Sequence, residues 1–145
     1  MTIKDLHSNC RTVNIITAAA IGANATKTGL VKDRQGYGGV EFIVSYGSVT
    51  TTGSIVTMVA LEGDVTGTMT SIADTDLIGT EALVSLAAAT PRTAGTTKEV
   101  TKRLGYKGNK RYVSMNAVQT GVTSVGCVSV VGLLHNPYNA PTTNP

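Results

Sequence analysis

VEFIVSY (Val40–Tyr46) is the stretch that decides the fold class. Val40, Phe42, Val44 and Tyr46 fall on one side of an extended chain, with Glu41 and Ser45 on the other. Apolar residues at every second position mark a strand with one buried face. The next residues, SVTTTG (Ser48–Gly53), read as a turn and predict a hairpin with SIVTMVALE (Ser54–Glu62). That second strand is apolar on both faces, with Val56, Met58 and Ala60 on one and Ile55, Val59 and Leu61 on the other. Two apolar faces predict a central or interfacial place in a sheet.

Working outward, TVNIITAAAI (Thr12–Ile21) predicts a first strand ended by Gly22. The turn-rich residues up to Gly39 allow at most a short strand at Thr26–Val31. Gly63–Gly79 reads as a loop region, and TEALVSLAAA (Thr80–Ala89) is ambiguous, its composition permitting helix and its neighbours favouring strand. TPRTAGTT (Thr90–Thr97) reads as an exposed turn, punctuated by Pro91 and Gly95. In Val100–Tyr106, Val100, Leu104 and Tyr106 share a face. The turn KGN (Lys107–Asn109) links that strand to one over Arg111–Gln119, where Val113, Met115 and Ala117 share a face. SVGCVSVVGLL (Ser124–Leu134) is apolar on both faces and predicts the most buried strand. HNPYNAPTTNP (His135–Pro145) holds three of the four prolines and excludes a regular helix or a central strand. Six to eight short strands with frequent turns predict an all-β fold, an antiparallel β-sandwich of jelly-roll-like type. One domain over residues 12–135 is expected between an irregular N-terminal arm (Met1–Arg11) and a proline-rich C-terminal tail (136–145).

Composition agrees with that class. The 145 residues include 16 glycines, one Phe and no Trp, and apolar residues make up 41%. Charged residues are only 14%, well under the usual quarter. A surface so poor in charge predicts that a partner covers part of it. No run of about 18 apolar residues is present to span a bilayer, and MTIKDLHSNCR lacks the apolar region of a signal peptide, so a reducing cytoplasm is the expected place of synthesis. Cys10 and Cys127 read as two small buried hydrophobes; a bridge between first and last strands is the alternative.

Catalytic chemistry has little to stand on. His7 and His135 lie at opposite ends of the chain in polar segments, where neither is held rigidly beside a nucleophile. Asp74 and Asp76, with Glu62 and Asp64, lack the spacing of a calcium loop and read as turn-capping acids. RQGYGG (Arg34–Gly39) has no GxGxxG spacing and opens no helix. No cofactor or metal is expected, and the chain reads as a non-enzyme.

The charged feature is KEVTKRLGYKGNKR (Lys98–Arg111), which carries six of the twelve basic residues and a single acid, Glu99. Clustered charge in a chain of net charge +3 predicts an electrostatic contact surface, a merely solvated face being the plain alternative. The expected contacts are Lys102, Arg103, Lys107, Lys110 and Arg111, with Tyr106 and Tyr112 as anchors and Arg34 and Tyr37 in second place. An acidic protein partner is favoured over nucleic acid, because stacking on single strands asks for more exposed aromatics.

GYKGNKRYVSMNAVQTGVTSVGCVSVVGLLHNPYNAP (Gly105–Pro141) resembles the C-terminal part of capsid decoration proteins of tailed bacteriophages, also described as cement or minor capsid proteins. KRYV, a strand, TGVTS, a hydrophobic strand and a proline-containing tail carry the resemblance. ADTDLIGTE (Ala73–Glu81) is similar to another recurring stretch of the same group. The two segments cover under half of the chain. The resemblance implies a virion protein, assembled in the bacterial host cytoplasm, that sits on the outer capsid surface as a homodimer or homotrimer. There it would clamp neighbouring subunits of the major capsid protein, its terminal arms lying along its neighbours. A head–tail connector or tail subunit is the second reading and a non-specific nucleic-acid-binding module the third; no membrane partner is expected.

Overall fold

A computed structural model describes residues 5–21, 23–47, 53–87, 100–121 and 126–139. Lys98 and Glu99, the turn at Thr90–Thr97, most of the Ser48–Gly53 turn, Met1–Lys4 and the last six residues of the tail lie outside the described residues.

The chain forms two antiparallel sheets packed face to face. The first contains β1 (Cys10–Ile21), β4 (Tyr37–Tyr46), β7 (Leu77–Ile78), β8 (Val100–Tyr106) and β10 (Gly126–Pro137), in the order β1-β10-β4-β8-β7. The second contains β2 (Thr26–Lys27), β9 (Tyr112–Thr120), β5 (Ile55–Val65) and β6 (Thr68–Ser71) in that order, with β3 (Lys32–Asp33) also pairing β9. When β2 and β3 are counted as one broken strand, and the two-residue β7, which pairs antiparallel with β8 at the sheet edge, is left out, the order reads 1-8-3-6 over 2-7-4-5. That is the strand order of a jelly roll.

The alternation seen in VEFIVSY holds. Val40, Phe42, Val44 and Tyr46 are buried, as are Leu104 and Tyr106 of β8 and Val128, Val130 and Leu134 of β10. They face Val56, Met58 and Ala60 of β5 and Val113, Met115 and Ala117 of β9, which complete one core. Strand positions were therefore legible, but strand partners were not. The hairpin expected between Val40–Tyr46 and Ser54–Glu62 does not form: β4 pairs β10 and β8, whereas β5 pairs β9 and β6. The KGN turn likewise carries the chain from one sheet to the other, from β8 to β9. Each inward face is covered by the opposite sheet, so the chain changes sheets at most connections. β5 and β6 make the one tight hairpin among the described residues, inside a region expected to be loop.

Two further expectations are corrected. Ser124–Leu134 is not buried on both faces: in β10 buried residues alternate with half-exposed ones, because nothing described covers the outer face of its sheet. The strand also runs on through His135 to Pro137, so part of the tail belongs to a central strand. Asn136 takes a positive φ of 57° and Pro137 ends the strand, where its missing N–H is least needed. The ambiguous Thr80–Ala89 contains one helical turn, α1 (Glu81–Val84), packed across the open side of the sandwich. Cys10 is buried but Cys127 is exposed, and neither forms a disulfide. Cys10 lies opposite His135 and Cys127 opposite Ala20, which sets the two about 25 Å apart along the ladder and excludes a bridge.

Candidate contact surface at one end of the sandwich

The register brings several connections to one end of the molecule. Cys10 pairs with His135, Tyr37 with Pro137, and Asp33 and Gly63 with Tyr112. The segment before β1, the turn Arg34–Tyr37, the β5–β6 hairpin, the crossover Lys107–Arg111 and the residues after β10 therefore share that end.

Arg34 organises it. The side chain is 7% exposed and spans the gap between turn and crossover. Its Nε donates to the Lys110 carbonyl at 2.5 Å, Nη1 to the Tyr37 carbonyl at 3.0 Å and Nη2 to the Gly108 carbonyl at 2.6 Å. The planar guanidinium fork suits three fixed acceptors, and it also lies 5.3 Å from the centre of the Tyr106 ring. Tyr106, 1% exposed, donates its hydroxyl to Glu62 Oε2 at 2.5 Å and accepts from the Lys110 backbone N–H at 3.0 Å. Burial, and then the hydrogen bond to Glu62, pushes the phenol well above its ordinary pKa. Gly108 packs flat on the Tyr106 ring, where a Cβ would come within 2.5 Å of the hydroxyl oxygen.

The basic run does not form one positive patch. Lys102 and Arg103 point to opposite faces of β8. Lys102 Nζ donates to the Ser85 carbonyl at 3.2 Å, whereas Arg103, on the outer face, sits 3.7 Å from Glu41. Lys110 pairs with Asp64, near the end of β5, at 2.5 Å. Arg111 holds Asp33 through two nitrogens, at 2.7 and 3.1 Å, and stacks 5.0 Å from the Tyr112 ring. That hydrogen bond holds the Asp33 carboxyl below its usual pKa. Three of the five described cations of the run thus have acid partners. Lys107 is exposed and has no acid paired with it among the described residues.

Tyr106 and Arg34, expected as surface contacts, are corrected to buried members of the scaffold. Tyr37 is half-buried against the core, with its backbone closing the Arg34 turn. Lys107, Lys110, Arg111 and, in part, Tyr112 remain at the surface of this end. Sequence reasoning missed the acids that neutralise the run, Asp33, Asp64 and Glu41, because Asp33 and Arg111 lie 78 positions apart. It also missed Leu6 and Tyr138, which are 61% and 74% exposed. Leu6 lines a cavity of about 370 Å³ with Asn9, His135 and Pro137. Tyr138 lines a second, of about 230 Å³, with Gln35, Asn109 and Arg111, and is tied down by its N–H to the Gly36 carbonyl at 2.8 Å. Two large exposed apolar groups beside shallow cavities make a surface suited to protein contact.

Among the described residues no group of three or more His, Cys, Asp or Glu side chains converges as a metal site, and no helix is long and apolar enough to cross a membrane. Asp74 and Asp76 lie in a 3-10 turn, where the Asp76 carbonyl accepts from the Lys107 N–H at 2.9 Å. No family model, curated protein or solved structure matches the chain.

Proposed function

We propose that this chain is a structural, non-catalytic virion subunit that binds the outside of a tailed-phage capsid and clamps neighbouring major capsid protein subunits. The observation that carries the reading is the convergence at one end of the described residues just before β1 and just after β10 with the Arg34-braced crossover. That end offers exposed Leu6 and Tyr138, with Arg111 lining the same cavity as Tyr138 and Lys107 exposed in the crossover that Arg34 braces. The jelly roll supports the reading by analogy, as a fold common in capsid proteins. So does the sequence resemblance at Gly105–Pro141 and Ala73–Glu81. Many copies on a shell make modest individual contacts sufficient, because neighbouring attachments act together. Internal neutralisation of the basic run takes away the main argument for a nucleic-acid partner, whose affinity rests on uncompensated cations.

Cryo-electron microscopy of phage heads assembled with this chain, combined with mass spectrometry of their proteins, tests the proposal. Density on the outer shell at stoichiometric copy number, with the Leu6–Tyr138 end against the capsid, is the expected result. A chain found in tails alone, or absent from purified heads, overturns it.

A further inference from the structure

The edge of β5 carries a device that the proposed function does not require. β6 covers β5 only from Ala60 onward. Before that point Val56, Met58 and Ala60 turn their backbone groups away from β9, toward a side where no described strand lies. In an ordinary sheet such a row is open to any strand that can align with it. Here the segment Glu81–Leu86 closes it. Val56 N–H donates to the Leu86 carbonyl at 3.0 Å, and Leu86 N–H to the Val56 carbonyl at 2.8 Å. Met58 N–H donates to Ser85 Oγ at 2.9 Å, and Ala60 N–H to Glu81 Oε1 at 2.5 Å. Two side chains thus occupy the positions that a neighbouring strand's carbonyls would take. Ser85 Oγ in turn donates to the Glu81 carbonyl at 2.8 Å, fixing the turn that presents both acceptors. The opposite sheet holds this turn in place, through the Tyr46 hydroxyl on the Val84 carbonyl at 2.6 Å and Lys102 Nζ on the Ser85 carbonyl.

The strand beneath needs such cover. Ile55–Leu61 (IVTMVAL) has no charge, no Pro or Gly, and apolar residues on both faces, the composition of a self-pairing segment. It also suits pairing with itself. Two copies aligned antiparallel about Met58 set Val56 opposite Ala60, so outward backbone groups meet in register and no like charges oppose.

We infer that the Glu81–Leu86 turn is an edge guard, which keeps the Ile55–Leu61 edge from pairing with the same edge of a second copy. Capping by side chains, rather than by a full strand, lets single substitutions open the guard one N–H at a time. Hydrogen exchange and light scattering on the full chain test this. In the wild type the amides of Val56, Met58 and Ala60 are protected, although no strand pairs with them there. Ser85→Ala speeds exchange at Met58, and Glu81→Ala at Ala60, each about tenfold. The double variant gains a concentration-dependent association that the wild type lacks, and adding Thr57→Lys, an exposed edge charge, reverses it. Wild-type amides at Met58 and Ala60 that exchange like unprotected ones overturn the inference. So does a double variant that loses protection yet keeps the wild-type mass at every concentration. If the double variant does not fold, Ser85→Ala alone, which keeps Glu81 and the Leu86 pairing, decides by the same two readouts.

Discussion

Arg34 and Tyr106 show how single residues hold the candidate contact end. Three carbonyls from two separate loops converge on one guanidinium, so its loss strands acceptors that have no other described donor. Lysine presents one point charge and cannot fill a fork. Arg34→Lys is expected to cost about 3 kcal/mol, read as a lower urea midpoint at unchanged slope. Tyr106 sits between Glu62 and the Lys110 amide, and Tyr106→Phe leaves both without their partner, for roughly 1–3 kcal/mol. The same hydroxyl sets a pH dependence. Its folded pKa is raised above the unfolded value of 10.0, so the folded state keeps the proton longer than the unfolded chain does. The stability this supplies is complete below pH 10 and drains away as pH climbs toward the raised folded value. Stability measured between pH 9 and 11, roughly the span over which a free phenol ionises, should fall more steeply for the wild type than for Tyr106→Phe.

Among the elements, the crossings between sheets decide the geometry. The chain leaving β1 passes over β9 at Gly29, whose N–H donates to Asn116 Oδ1 at 3.0 Å and whose carbonyl accepts from Ser114 Oγ at 3.1 Å. The approach is so close that a Cβ on Gly29 would stand 2.2 Å from the Met115 carbonyl oxygen. Backbone cannot yield as a flexible side chain can, so Gly29→Ala is expected to cost about 2 kcal/mol or more, seen as a lowered melting temperature. Gly67, at the β5–β6 turn, has nothing within 4 Å of its would-be Cβ and serves as the control for added bulk. The charged pairs are elements of the same kind. Asp33–Arg111 and Asp64–Lys110 tie the crossover to its neighbouring connections, and each is largely exposed, so each contributes modestly to stability.

The whole molecule joins these parts into a rigid end with exposed apolar groups, and the proposed contact is argued at that scale. Leu6→Ser and Tyr138→Ser change side chains that are 61% and 74% exposed and should leave the melting temperature within about one or two degrees of the wild type. If the end meets a capsid, the pair should lower shell occupancy by at least roughly tenfold in a cosedimentation titration with phage heads. Unchanged occupancy would move the contact elsewhere on the surface. Charge reversal needs more care. Lys110→Glu and Arg111→Glu would oppose Asp64 and Asp33 within the molecule, so loss of binding in those variants would report internal repulsion as well as contact. Lys107→Glu is the clean substitution, since no described acid holds that lysine, and it should weaken binding more in low salt than in high.

How much of this was legible in the sequence depends on the range of the forces involved. Alternation is a local property, so Val40–Tyr46, Val100–Tyr106 and Arg111–Gln119 by themselves determined their strands and inward residues and, with the two-faced strand Ser54–Glu62, the all-β sandwich. The density of basic residues in Lys98–Arg111 was equally plain, but what surrounds each cation was not. Asp33, Asp64 and Glu41 reach the run only because the sheets bring distant segments to one end and one face. Tyr106 falls on the inward side of its strand, as its alternation with Leu104 implied, while the burial of Arg34 came from three carbonyls that exist only after the loops have closed. The choice of strand partners also belonged to the tertiary structure. A turn between two strands fits a hairpin and a sheet-to-sheet crossing equally well, and only the burial of both inward faces against each other selects the crossing.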